Sequence, residues 1–183
     1  MRLYDRRGQR LYLNARERSA FAQHARAAGP SVLLLCMVLL HTGCRLSEAL
    51  SLTRASFQRS SLSVSIITLK RRRPGLVREV PVPLELFALM RRVPACGDGR
   101  LFGMHRSTAW RHVRTVLTGA SIHGTQAMPK GLRHGFGVNA IQCGVPLNLL
   151  ARWMGHASMK TTAIYADATG PEERRIAARM WSR

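Results

Sequence analysis

Carboxylates are scarce in this chain. Of 183 residues only nine are Asp or Glu, against 29 Lys and Arg, which gives a formal net charge of +20. No two of the nine stand at metal-ligand spacing, so a magnesium-dependent nuclease is disfavoured. Cysteine is thin and scattered: Cys36, Cys44, Cys96 and Cys143 form no Cys-x-x-Cys pair. A zinc site is therefore not expected, and isolated thiols fit a reducing cytoplasm. No metal and no cofactor is called for. Long apolar runs are missing as well. The longest, Val32 to Leu40, has nine residues, where a bilayer span needs about 20; it suits a buried helix. Met1 to Arg10 is basic and polar with no apolar stretch directly behind it, so neither a signal peptide nor a membrane association is expected. No internal repeat, low-complexity tract or Pro/Gly/Ser linker divides the chain.

What is present is positive charge on a foldable sequence. Hydrophobic residues make up 46%, and the length suits one ordinary domain or a domain plus a short arm. Like charges at this density repel and destabilise a compact fold unless a polyanion neutralises them. Nucleic acid is the leading partner, through release of phosphate counterions; a ribosomal-type structural protein and an anionic-membrane binder are the rivals.

The periodicity predicts a mainly helical domain with one small antiparallel sheet, an α+β arrangement. After a basic arm, Asn14 and Glu17 form a capping-box pattern that starts a helix near Ala15. It runs to about Ala28 and stops at Gly29-Pro30. A second helix, apolar nearly all round, covers Ser31 to Thr42, and a third covers Arg45 to Leu52. Leu62, Val64 and Ile66 then alternate with serines and Ile67-Thr68-Leu69 follows, while Leu76 to Val82 reads as the return strand of a hairpin whose tip, Lys70 to Arg73, is cationic. Helices are expected over 84–92, 106–117, 130–142, 146–154 and 161–166, and a last one from Pro171, with acids in its first turn as the helix dipole prefers.

Four segments bear chemistry, and each has a bland reading. Arg45 opens a helix after the Gly43 break; alone it is a surface arginine, paired with Glu48. Lys70 enters the hairpin tip; it is either solvated or, with Arg71, Arg72 and Arg73, aimed at a DNA groove. Lys130 and Arg133 lie i, i+3 at a helix start, which suggests a phosphate between them or simply a solvated basic face. In Met154-Gly155-His156 a glycine ends a helix and frees the histidine, and Tyr165 follows nine positions on; a lone tyrosine is usually a packing residue.

Taken in order, T-G-C-R-L-S-E at Arg45, Lys70 ahead of R-E-V-P-V-P, K-G-L-R-H at 130–134 and M-G-H-A-S-M-K-T-T-A-I-Y ending at Tyr165 resemble the tyrosine recombinases, the phage-integrase and Xer/Cre-like enzymes. The resemblance runs over about residues 14–170. It implies the recombinase catalytic-domain fold and a site-specific enzyme that cleaves and rejoins double-stranded DNA through a 3′-phosphotyrosyl link. Tyr165 is then the nucleophile, Arg45 and Arg133 neutralise the phosphate, Lys70 protonates the leaving 5′-oxygen, and His156 bonds a phosphate oxygen. Glu48 and His134 support these groups, and Lys160, with Arg71 to Arg73, contacts DNA. The cationic pocket is expected to favour the phenolate. One departure stands out: Lys130 occupies the place of a histidine that serves much of the family as a base, which leaves it between base and phosphate ligand.

The division expected is 1–13 as a basic arm, 14–170 as the catalytic domain and 171–183 as a helix that docks on a neighbouring protomer or packs back on its own domain. The resemblance implies a tetramer on DNA, a bacterial, phage or plasmid origin, and a separate core-binding domain or accessory protein. The blocks begin so early that the chain reads either as an excised fragment or as a naturally short recombinase. The competing readings are a DNA-binding accessory or regulatory protein with this fold and little activity, an unrelated basic structural protein, and a type IB topoisomerase, whose chemistry is shared but whose pattern fits less well.

Overall fold

Helix α2 (Pro30–Thr42) lies in the middle of the packing of the computed structural model, which describes residues 2–69 and 75–181. Every side chain from Leu33 to Leu40 is buried, as an apolar run without a polar face requires. Around it pack α1 (Ala15–Ala25), α3 (Leu46–Leu50), α4 (Leu84–Arg91), α5 (Arg106–Gly119) and α6 (Pro129–Gln142). Helix α7 (Leu147–Met154), the short α8 (Met159–Ala163), a 3-10 turn at Ile164–Asp167 and α9 (Pro171–Ala178) complete the chain. The mainly helical class with one small antiparallel sheet is as expected.

The capping box at Asn14 is present: its side chain accepts from the Glu17 amide at 2.9 Å, and Glu17 accepts the Asn14 amide at 2.9 Å. The sheet has three strands in the order β1-β2-β3, with β1 Phe57–Gln58, β2 Ser63–Ile67 and β3 Val77–Pro81, all antiparallel. β1 was not anticipated; two residues are too few to show a period. Leu62 was expected to share the strand with Val64 and Ile66. It instead takes φ 47° in the turn before β2 and is exposed, whereas Val64 and Ile66 are fully buried. The hairpin tip at Lys70 to Arg73 lies outside the described residues.

The first residues of the chain contact the segment that follows Tyr165. Residues 2–13 fold back on themselves through an isolated bridge between Tyr4 and Arg10, with Leu3 and Tyr12 buried. Tyr4 Oη lies 3.1 Å from the Thr169 hydroxyl and accepts the Thr169 amide at 3.1 Å. Helix α9 packs on α6, and Arg179 beyond it donates to the Gln142 carbonyl at 3.2 Å. Among the described residues no helix is long and apolar enough to cross a membrane.

Candidate active site

The Arg45 corner is built by a glycine. Gly43 ends α2 at φ 59°, and a Cβ there would stand 2.4 Å from the Phe136 ring, so both the backbone angle and the space demand glycine. The chain then enters α3 with Arg45 as its N-terminal cap in extended conformation. Glu48, fully buried, accepts the Arg45 amide at 2.9 Å and its guanidinium at 2.8 Å. The Arg45 side chain stays 37% exposed, which leaves it able to meet a ligand.

Glu48 has a second cation that the sequence reading missed. Arg78 on β3 is buried and donates to Glu48 at 2.6 Å, to the Thr68 hydroxyl at 3.0 Å and to the Trp153 carbonyl at 2.7 Å. Burial pushes the Glu48 carboxyl up, but the opposing pull of Arg78 and the Arg45 amide is larger and holds it below the usual range. One buried arginine thus links α3, the end of β2 and the end of α7. Thr162 was missed too: it is fully buried and holds the His156 ring.

Arg133 projects from α6 and is only 4% exposed. It donates to the Gly43 carbonyl at 2.7 Å, to the Met154 carbonyl at 2.8 Å and to His156 Nε2 at 3.0 Å. Burial and then Arg45 lower its pKa to about 10, so it remains a cation at neutral pH. Gly155, at φ 63°, closes α7 and turns His156 toward this arginine. A guanidinium can only donate, so His156 Nε2 accepts and Nδ1–H donates to the Thr162 hydroxyl, 2.8 Å away. Burial and then the neighbouring Arg133, Arg45 and Arg78 depress His156 to about 3, which makes it neutral.

Tyr165 sits behind this layer. It is 0% exposed, its ring stacks on His156 with centroids 6.2 Å apart and planes 11° from parallel, and its hydroxyl lies 3.3 Å from His134 Nδ1. Gly137 makes room for the ring, since a Cβ there would come within 2.6 Å of it. Burial raises the phenol to about 12, although Arg133 and Arg45 pull the other way. The expectation that the cationic pocket favours the phenolate is corrected here: desolvation outweighs the two cations. His134, fully buried, is lowered to about 4 by burial, then by Lys130 and Arg133. Its contact is the tyrosine hydroxyl.

Arg45, Lys130 and Arg133 line one cavity of about 450 Å³, with Ser47 on its wall. Lys130 is exposed, and Tyr165 does not reach the lining. Lys160 is exposed on α8, away from this wall. Lys70, Arg71, Arg72 and Arg73 lie outside the described residues. No group of three or more His, Cys, Asp or Glu suited to a metal occurs among the described residues.

Comparison with known proteins places this arrangement. Tyrosine recombinase XerC of Mesorhizobium japonicum is 31% identical over 148 residues, covering 76% of this chain and 46% of that protein. The crystal structure of XerA recombinase superposes with a TM-score of 0.79 at 22% identity, covering 94% of this chain and 65% of that one. The structure of XerH site-specific recombinase bound to difH substrate superposes at 0.76 with 19% identity, covering 98% and 60%. The chain spans about half the length of the curated relatives it matches. The family model described as the phage integrase family matches residues 9–171, a span that holds the arginine pair, the Gly-His turn and the tyrosine, and the chain belongs to that family.

Proposed function

We propose that this chain is the catalytic part of a site-specific recombinase that cleaves and rejoins duplex DNA with Tyr165 as nucleophile. One observation carries the reading: Arg45 and Arg133 open on a single cavity, and Arg133 is bonded at 3.0 Å to the histidine that stacks on Tyr165. Two permanently charged, planar forks suit a phosphodiester whose non-bridging oxygens gain charge as phosphorus is attacked. Tyr165 Oη gives up its proton to solvent and forms the bond to phosphorus as the 5′-oxygen leaves. Lys70 is assigned the proton for that oxygen. Of the two roles open to Lys130, its exposed place on the cavity wall supports phosphate contact, since the group beside the Tyr165 hydroxyl is His134. Arg71, Arg72, Arg73 and Lys160 are assigned to the DNA backbone. Because the phenol is buried and neutral in this state, cleavage requires Tyr165 to swing out of the Gly137 pocket toward the cavity. The reading extends to a homotetramer on DNA, assembled with a core-binding domain or accessory protein.

The test is a covalent-adduct assay with a nicked duplex carrying the DNA that flanks the gene, without metal or ATP. A DNA-linked peptide containing Tyr165, absent in Tyr165→Phe, is the expected result. DNA binding without any adduct, also when a core-binding partner is supplied, would favour the accessory-protein reading instead.

A further inference from the structure

The cavity is larger than one phosphate needs, and part of its wall belongs to neither arginine nor any of the motif segments. Helix α5 presents Arg106 and Trp110, one helical turn apart, to the same space as Arg45 and Arg133. Arg106 is exposed, and no carboxylate pairs with it among the described residues. It also stands in the first turn of its helix, where no acidic residue accompanies it and the helix dipole opposes a cation. Helix stability therefore does not account for it. Trp110 is 42% exposed, and the Arg114 guanidinium lies 5.5 Å from its ring centroid. Arg114 is itself anchored to the Ala127 carbonyl, so the indole is braced at the cavity rather than loose on the surface.

We infer that Arg106 and Trp110 form a second backbone subsite for duplex DNA, in which Arg106 binds a phosphate next to the one held by Arg45 and Arg133, and Trp110 packs on the intervening deoxyribose. This rests on the DNA-cleavage reading above and extends it. A single phosphodiester carries one negative charge, whereas this wall carries Arg45, Lys130, Arg133 and Arg106. The surplus is accounted for when more than one phosphate enters. The indole supplies the apolar contact that a sugar between two phosphates offers, and such contacts tolerate any sequence.

The two residues are separable by salt. Binding of a fluorescein-labelled 30-base-pair duplex of arbitrary sequence is followed by anisotropy across a range of NaCl concentrations. Each lost phosphate contact makes the slope of log affinity against log salt shallower by about 0.9. Arg106→Ala is expected to weaken binding and lower the slope by about 1. Arg92→Ala removes an exposed arginine that lines none of these walls and is expected to leave the slope unchanged. Trp110→Ala and Trp110→Leu are expected to weaken binding about tenfold with the slope preserved. Thermal melts like that of the parent protein identify the variants that fold. Wild-type slopes in Arg106→Ala, unchanged affinity in the folded Trp110 variants, or no salt-dependent duplex binding by the parent protein would each overturn the subsite. A Tyr165 adduct together with a null result here removes only the subsite; the expected slopes without any adduct leave a DNA-binding wall and remove the cleavage reading.

Discussion

The tyrosine and the two histidines around it show how burial sets protonation. Tyr165 was legible from its place after Gly155-His156, but its resting position was not, because the pocket that holds it depends on Gly137, which looks like any helical glycine in the sequence. Gly137→Ala places a methyl group within 2.6 Å of the phenol ring, and the ring must yield. The phenol should then titrate below its present value of about 12, back toward 10, as read by ultraviolet difference spectra against Tyr165→Phe. An unchanged titration would mean that the ring stays in place and that α6 shifts instead. Acid acts on the other side of the pair. His134 and His156 have folded-state values of about 4 and about 3, below the ordinary 6.5, so under pH 6.5 the unfolded chain binds more protons than the folded one. The stability that these neutral rings contribute is complete above pH 6.5 and is lost progressively as the pH falls from there to about 4 for His134 and about 3 for His156. Urea midpoints measured from pH 7 to pH 4 should drop less steeply in His134→Gln than in the parent protein; parallel curves would show that His134 does not couple protons to folding.

At the level of elements, Arg78 joins what the chain separates. In β3 the buried positions are Arg78 and Val80, while Val77 is exposed. Hydrophobic alternation located the strand correctly but could not anticipate a cation on its inner face. The reason is chemical: Glu48 from α3 and the Trp153 carbonyl from α7 both arrive at that face and need a donor with several N–H groups in one plane. Regular elements were legible wherever periodicity was long, as in α2 and α6, and so was the order of the motif residues. Contacts between elements were not, because Arg78, Thr162 and Gly137 derive their roles from partners 30, 6 and 28 residues away. Arg78→Met leaves a buried carboxylate facing only Arg45 and should cost about 3 kcal/mol in urea unfolding, in the range for a broken buried pair. Arg78→Lys keeps the charge and should lose less, yet one ammonium cannot span Glu48, Thr68 and Trp153 together. Both variants are expected to slow adduct formation more than they weaken duplex binding, since the loss falls on the alignment of Arg45 and of the His156 turn. Equal losses in rate and binding would argue for general unfolding of the site.

For the whole molecule the governing quantity is a net charge of +20. Four of the nine carboxylates form ion pairs among the described residues, namely Glu17, Glu48, Glu85 and Asp98, and only Glu48 is fully buried, so little of the excess is neutralised internally. Self-repulsion of this kind is screened over about 10 Å at 0.1 M salt and weakens the folded state most at low ionic strength. The melting temperature should therefore rise as NaCl is raised from tens to hundreds of millimolar. Duplex DNA should do the same at low salt by a different route: a ligand bound only by the folded chain and present at a hundred times its dissociation constant adds about 2.7 kcal/mol. The two effects oppose each other in combination, because salt that relieves repulsion also competes for the phosphate sites. Stabilisation by DNA should be large at low salt and fade as salt rises, even while the free protein becomes more stable. Calorimetric melts with and without a duplex across that range would record the two curves converging. Curves that stay parallel would mean that the charge serves the fold or another partner, and that binding at the arginine cavity does not proceed through phosphate neutralisation.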